Sequence, residues 1–302
     1  MNLSALIPPI QVKNVDKEFK NNPAWVPLFI KGIIANTDEE IRANIEAALK
    51  LDYIPFNELI GIKSGAVAIV GSGPSLKKNW HKLKRFNGDI IACNSACKFL
   101  LDKGIVPQYM VCFDADRLML AFMQAHPDIT YLLASRVPPE AFEMVKGCKI
   151  VCWHAAGDEC LEELLAKHGR EEPMVLGGCA AVTRTLYVAI TMGYKTVHMY
   201  GVDSSYIGMD THISKSRTEE RRLPVRVNDK VFITAPWMSQ QAEDFKILVP
   251  LMQKINNTEV IVHGTGLIPY IAQVMGLKTD ESFLAKFIRI LKWRTTILWQ
   301  HV

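Results

Sequence analysis

No stretch of 18 consecutive apolar residues occurs in the 302-residue chain, so no membrane-spanning helix is expected. The N-terminus, MNLSALIPPIQVKNVDKEFK, lacks the basic start and apolar core of a secretory leader, and no signal peptide is expected. The seven cysteines form no CxxC pair and no Cys/His ligand spacing. They are odd in number and scattered, with Cys93, Cys112 and Cys152 inside apolar runs. This is the pattern of buried, reduced thiols in a cytoplasmic protein, and it argues against a disulfide framework. Neither sign of charge dominates: 35 Lys and Arg face 31 Asp and Glu, a net charge of +4. That balance suits an anionic ligand and is too mild to argue for nucleic acid. No internal repeat is present. Both standard glycine-rich nucleotide fingerprints are missing as well. The third glycine of the dinucleotide motif does not follow Gly71-Ser72-Gly73, and no Gly-Lys-Ser/Thr occurs there.

What is present is a 49% hydrophobic, 22% charged chain with enough apolar material for a large core. Its focus is Ala66 to Asn94. Five small or β-branched residues, Ala66 to Val70, run directly into Gly71-Ser72-Gly73-Pro74-Ser75. Such a run reads as a buried parallel strand. The glycines permit a sharp turn, Pro74 fits a first helical turn, and Ser75 is placed to cap it. A strand entering a helix through a glycine turn is expected to leave several N–H groups outward as an anion site. Further apolar runs follow at αβ spacing: Ile90 to Cys93, Tyr109 to Phe113, Ile129 to Leu133, Ile150 to Trp153, Thr196 to Tyr200 and Glu259 to Val262. Helical patterns lie between most of them. The alternation predicts an α/β, Rossmann-like, doubly wound and mostly parallel sheet over residues 61–278. Residues 1–60 read as a helical appendage in which Thr37 and Glu40 make a capping box. Residues 279–302 read as an amphipathic basic helix, and its 283–299 stretch suits packing on the body, a second subunit or a membrane surface.

Ligands of such a fold sit beyond the C-terminal strand ends. Polar residues gather there: Ser72, Asn94, Asp114 and Asp116, His154, Gly177-Gly178, Asp203 and His263. Asp114 and Asp116 are candidate Mg²⁺ ligands, with a cap and a loop contact as the structural alternative. Asp203 suits a ribose, a base edge or a metal, against an Asx-turn. Gly177-Gly178 precedes a long helix and suits an anion, against close packing. His154, His198, His212 and His263 are candidate acids or bases. Residues 204–236 are long and polar, and Lys215, Arg217, Arg221, Arg222 and Arg226 suit a phosphate-clamping lid.

Taken together, GSGPSL at 71–76, Cys93-Asn94, LDKGIVP at 101–107, the Asp114/Asp116 pair and MGYKTVHMYGVDSSY at 192–206 resemble the 6-hydroxymethylpterin diphosphokinase MptE-like family. The series is also similar to the motility accessory factor glycosyltransferases and, more distantly, to bacterial CMP-sialic acid sialyltransferases. The resemblance implies that Ser72 and Gly73 lie against nucleotide phosphates, that Asn94 meets sugar or base, and that Gly177 and Gly178 line the donor site. Gly201, Asp203 and Tyr206 would hold the ribose. The sialyltransferase-like relatives place a histidine base shortly after the lid; the matching stretch here, 234–239, has none, which counts against sialyl transfer by that mechanism unless His212 or His263 substitutes. The leading expectation is Mg²⁺-dependent diphosphate transfer from ATP to a pterin-like alcohol. Glycosyl transfer from a nucleotide-activated sugar is the alternative, and a non-catalytic nucleotide-binding module the third. A small-molecule acceptor is the expected partner, with a homo-oligomer also open.

Overall fold

The computed structural model describes residues 11–12, 36–210, 212–213 and 222–280. The expected helix over 283–299 and the lid residues Lys215, Arg217 and Arg221 lie outside them. In chain order the strands are β1 (Gln11–Val12), β2 (Ile54–Pro55), β3 (Ala66–Val70), β4 (Asp89–Cys93), β5 (Tyr109–Cys112), β6 (Thr130–Ala134) and β7 (Lys149–Ala155). They continue with β8 (Met174–Val175), β9 (Thr196–Tyr200), β10 (Leu223–Val227), β11 (Lys230–Thr234), β12 (Glu259–Val262) and β13 (Lys278–Thr279). The helices are α1 (Asp38–Ala48), α2 (Leu76–Asn79), α3 (Ala96–Asp102), α4 (Glu140–Met144), α5 (Leu161–Lys167), α6 (Ala181–Met192), α7 (Pro236–Asn256) and α8 (Leu267–Val274).

Ten strands form one sheet in the order β13-β12-β9-β3-β4-β5-β6-β7-β2, with β8 also paired to β7. All of these pairings are parallel. The central strand β3 is sealed on both faces, which is why it reads as an unbroken apolar run: Val67 to Val70 have no exposed surface. From β3 the chain winds outward through β4 to β7, then returns to the other side of β3 to lay down β9 and β12. The reversal of direction opens a crevice at the C-terminal ends of β3 and β9.

The described part of the 1–60 segment is joined to this body. Thr37 and Glu40 form the expected capping box at the start of α1. Ile41, Ile45 and Leu49 pack on Leu161, Leu164 and Leu165 of α5, and Arg42 pairs with Glu163. β2 extends the main sheet at β7. The long polar loop read at 204–236 is also more regular than its composition indicated. β10 and β11 form an antiparallel hairpin that pairs with β1. The alternation in LPVRV and KVFIT around Asn228-Asp229 is the local pattern of such a hairpin. Asn228 takes the left-handed conformation, φ 50°, that such a turn needs. All seven cysteines are free and four are buried. Among the described residues no helix is long and apolar enough to cross a membrane.

Candidate active site

The glycine turn differs from its sequence reading. α2 is a single turn, and Ser75, at its N-cap position, makes no capping bond. The turn is instead fastened to the segment after β9. Gly71 N–H donates to the Tyr200 carbonyl at 2.8 Å and Gly73 N–H to the Gly201 carbonyl at 2.7 Å. Ser75 gives both its N–H, at 2.6 Å, and its hydroxyl to the Asp203 carboxylate. Pro74 has no N–H to give. The outward cradle of several amides is not formed, because the β9 side consumes most of them, and Ser72 keeps an N–H without a backbone partner among the described residues. The closeness explains the glycines. A Cβ on Gly73 would stand 2.6 Å from the Gly201 oxygen and 2.8 Å from Asp203 Oδ2. Asp203 is 1% exposed, and burial pushes its carboxyl up to about 7 against the two Ser75 bonds that favour the anion.

Beside this turn, at the β3–β9 crevice, lies a cavity of about 330 Å³. Ser72 and Gly73 from β3, Asn94 from β4, Asp114 from β5, and Gly201 and Asp203 from β9 line it, together with His212. These are the strand-end residues that the sequence assembled. Gly71, Pro74, Ser75 and Tyr206 are not among the lining residues, and the Tyr206 N–H donates to the Ile233 carbonyl. Residues 179–182, Ser204, Trp237, Met238 and Gln241 line it too. Sequence reading missed these, because nothing local marks the first turn of α7 as facing β9.

The N-terminus of α6 supplies what the glycine turn does not. Cys179 N–H is held by Asp244 at 2.7 Å and Ala180 N–H by Thr183 Oγ1. Ala181, Val182 and Thr183 follow as first-turn amides without backbone partners among the described residues, and the first two line the cavity. Gly177, at φ 147°, and Gly178 sit outside the lining but are required by it. Side chains there would strike Arg184 and Thr183.

Asn94 adopts φ 47°, and its Nδ2 donates to Asp114 Oδ2 at 2.5 Å. A carboxylate needs a donor, so the amide is fixed with Oδ1 free; that oxygen is buried without a hydrogen-bond partner. Asp114 opens onto the cavity, yet the protein around it raises its carboxyl, with Asn94 and Arg136 opposing. Asp116 is placed elsewhere: its carboxylate accepts from Leu118 N–H at 2.8 Å and caps the short 3-10 helix Arg117–Phe122. The two aspartates expected as a pair thus face different surroundings. Among the described residues no cluster of three His, Cys, Asp or Glu suits a metal. The Asp114 carboxylate and the orphaned Asn94 Oδ1 are nevertheless two hard oxygens at one cavity wall. They fit Mg²⁺ completed by phosphates and water.

Among the described histidines His212 alone lines the cavity, stacked on Trp237 with ring centroids 5.6 Å apart. His154 is fully buried between Ser135 and Glu172. His198 and His263 bond to one another at 2.9 Å, and His263 to Asp280.

The profile of the 6-hydroxymethylpterin diphosphokinase MptE-like family matches residues 39–208, more than half of the chain. The chain belongs to that family. The matched span runs from α1 through the Asp203 loop and so contains β3, β4, β5, β9 and the start of α6. Among solved structures, the fold is similar to the MAf glycosyltransferase from Magnetospirillum magneticum AMB-1, with TM-score 0.56 and 17% identity, over 74% of this chain and 36% of that one. This chain therefore spans about a third of that protein. A mammalian sialyltransferase matches with TM-score 0.41 and 10% identity over 74% of this chain and 79% of its own. The sialyltransferase CstII from Campylobacter jejuni matches with 0.32 and 13% over 71% and 85%. No curated protein matches. The profile match shows the family, and the likeness to the glycosyltransferase shows the fold.

Proposed function

We propose that this family member transfers diphosphate from ATP to the hydroxymethyl group of a pterin-like alcohol. The observation that carries this reading is one cavity joining unpaired amides to paired hard oxygens. Ser72, Ala181 and Val182 supply the amides; Asp114 and Asn94 supply the oxygens. Phosphate oxygens suit the former, because N–H groups at a 12-residue helix start carry partial positive charge. Asp114 and Asn94 Oδ1 would hold Mg²⁺, which would neutralise phosphate charge. The acceptor hydroxyl oxygen forms a bond to the β-phosphorus, the bond to the α,β-bridging oxygen breaks, and AMP leaves. The hydroxyl proton passes to His212 Nε2 or Nδ1 as base. Catalysis of this kind rests on positioning and charge neutralisation.

Glycosyl transfer from a nucleotide-activated sugar is the second reading. It is favoured by the fold similarity at TM-score 0.56 and by the turning away of Asp116. A thermal-shift panel separates the two. ATP stabilising only with Mg²⁺, by about 2.7 kcal/mol at a hundred times its Kd, together with AMP release on addition of the pterin alcohol, supports the first. Stabilisation by CMP or a sugar nucleotide without metal overturns it in favour of the second.

A further inference from the structure

The part of the cavity wall built by α7 has a different chemistry from the unpaired amides. Gln241, on the second turn of α7, is 6% exposed yet lines the cavity. Its Oε1 accepts a hydrogen bond from Ser204 Oγ at 2.9 Å. Ser204 is itself fixed. It takes φ 49°, and its carbonyl accepts from Thr234 Oγ1 at 3.0 Å. With Oε1 occupied, Gln241 presents Nε2, which has no hydrogen-bond partner among the described residues. Nε2 is not among the sealed, unpartnered atoms of the structure, so this oriented amide opens onto the cavity and is available to a ligand acceptor. One turn earlier on α7, half-buried Trp237 stacks with His212 at an interplanar angle of 19°. His212 is held in place by its neighbour, since Ile213 N–H donates to the Ser72 carbonyl at 2.8 Å. An aromatic wall therefore stands beside a single directed N–H donor.

We propose that Gln241, Ser204 and the His212–Trp237 pair form a ring subsite. It takes a flat heteroaromatic with a ring carbonyl, stacked on the aromatic wall and accepting from Gln241 Nε2. This rests on the reading that the cavity holds the substrates of a nucleotide-dependent transferase. Adenine has no carbonyl, so with ATP as donor the ring here belongs to the pterin acceptor. With a cytidine donor the same chemistry takes the cytosine carbonyl.

The test is a fluorescence titration of the full chain with 6-hydroxymethyl-7,8-dihydropterin, with its 4-amino counterpart, in which the ring carbonyl is replaced, and with CMP. The pterins are titrated with Mg²⁺ and a non-hydrolysable ATP analogue present. Wild type is compared with Gln241→Glu, which keeps the Ser204 bond but cannot donate, and with Gln241→Met. Wild type is expected to bind the oxo ring at least about tenfold tighter than the amino ring. Gln241→Glu should reverse that order, and Gln241→Met should level it. Binding of the ATP analogue by each variant reports on folding. Equal binding of the oxo and amino rings by wild type, which needs no variant, overturns the subsite, as does a preference that the variants leave unchanged. If the ATP analogue binds with Mg²⁺ while ring preference ignores Gln241, the subsite fails and the diphosphokinase reading stands. If only CMP binds, and at least tenfold more weakly to Gln241→Glu, the subsite stands and the diphosphokinase reading fails. No ring binding at all overturns both.

Discussion

The carboxylate of Asp203, at the end of β9, accepts both the backbone N–H and the hydroxyl of Ser75, across the crevice on the β3 side. One buried acidic group therefore closes the glycine turn. Its carboxyl is raised from 3.8 to about 7, first by burial, with the Ser75 bonds opposing. The folded state holds the proton more tightly than the unfolded chain, so this group's contribution to stability is full below pH 4 and is lost as pH rises to about 7. Asp203→Asn should gain on wild type across that window, by at most about 1.4 kcal/mol per pH unit. Paired melting curves from pH 4 to 8 check this; a constant difference between the two proteins refutes it.

Gly73→Ala places a methyl 2.6 Å from a backbone oxygen that belongs to the opposite strand end. Neither backbone can yield without parting the turn from β9. A loss of about 1–3 kcal/mol is expected, by analogy with overpacked cores. Ligand stabilisation by nucleotides should disappear as well. Gly104→Ala is the control for a glycine substitution in open space, since nothing stands near that position. Its left-handed φ of 71° makes about 1 kcal/mol of loss expected there, with nucleotide stabilisation intact.

At the Asn94–Asp114 pair, backbone and chemistry are separable. Asn94→Gly retains the left-handed conformation and removes the amide, whereas Asn94→Ala also opposes φ 47°. The alanine variant should be less stable than the glycine variant by about 1–2 kcal/mol. Both should lose Mg²⁺-dependent ATP binding to a similar degree. Asp114→Asn should lower turnover at least about a hundredfold with little change in melting temperature, because the side chain opens onto the cavity. Turnover at wild-type level in Asp114→Asn would remove this carboxylate from the mechanism.

Ser135, His154 and Glu172 have the connectivity of a hydrolase triad: His154 Nδ1 lies 2.9 Å from the Ser135 hydroxyl and Nε2 lies 3.1 Å from Glu172. Ser135 and His154 are fully enclosed, so no substrate reaches them. Fluorophosphonate should fail to label Ser135. Burial lowers the His154 pKa below 6.5, ahead of the opposing Glu172. The unfolded chain then binds the proton more readily, and stability is lost as pH falls below about 6.5. His154→Gln should show a shallower acid-side loss in denaturant titrations at pH 5 and 7.

The sequence by itself determined the sheet. Buried parallel strands must be apolar on both faces, and the seven runs from Ala66 to Val262 each became a strand within two residues of their expected ends. Because strand ends in such a sheet share one edge, Ser72, Asn94, Asp114 and Asp203 could be placed together without coordinates. Only the tertiary structure decided how their hydrogen-bonding capacity is used. The Gly71, Gly73 and Ser75 amides face the β9 side, Asp116 faces Leu118, and the unpaired amides at the cavity are those of Ser72 and the start of α6. Such allocations depend on which strands become neighbours, here β3 and β9, some 130 residues apart in the chain, and on no local pattern. Gln241 and Trp237 illustrate the same limit. On an amphipathic helix a buried glutamine and a half-buried tryptophan look like ordinary helix residues. The docking of α7 beside Ser204 is what turns them toward the cavity.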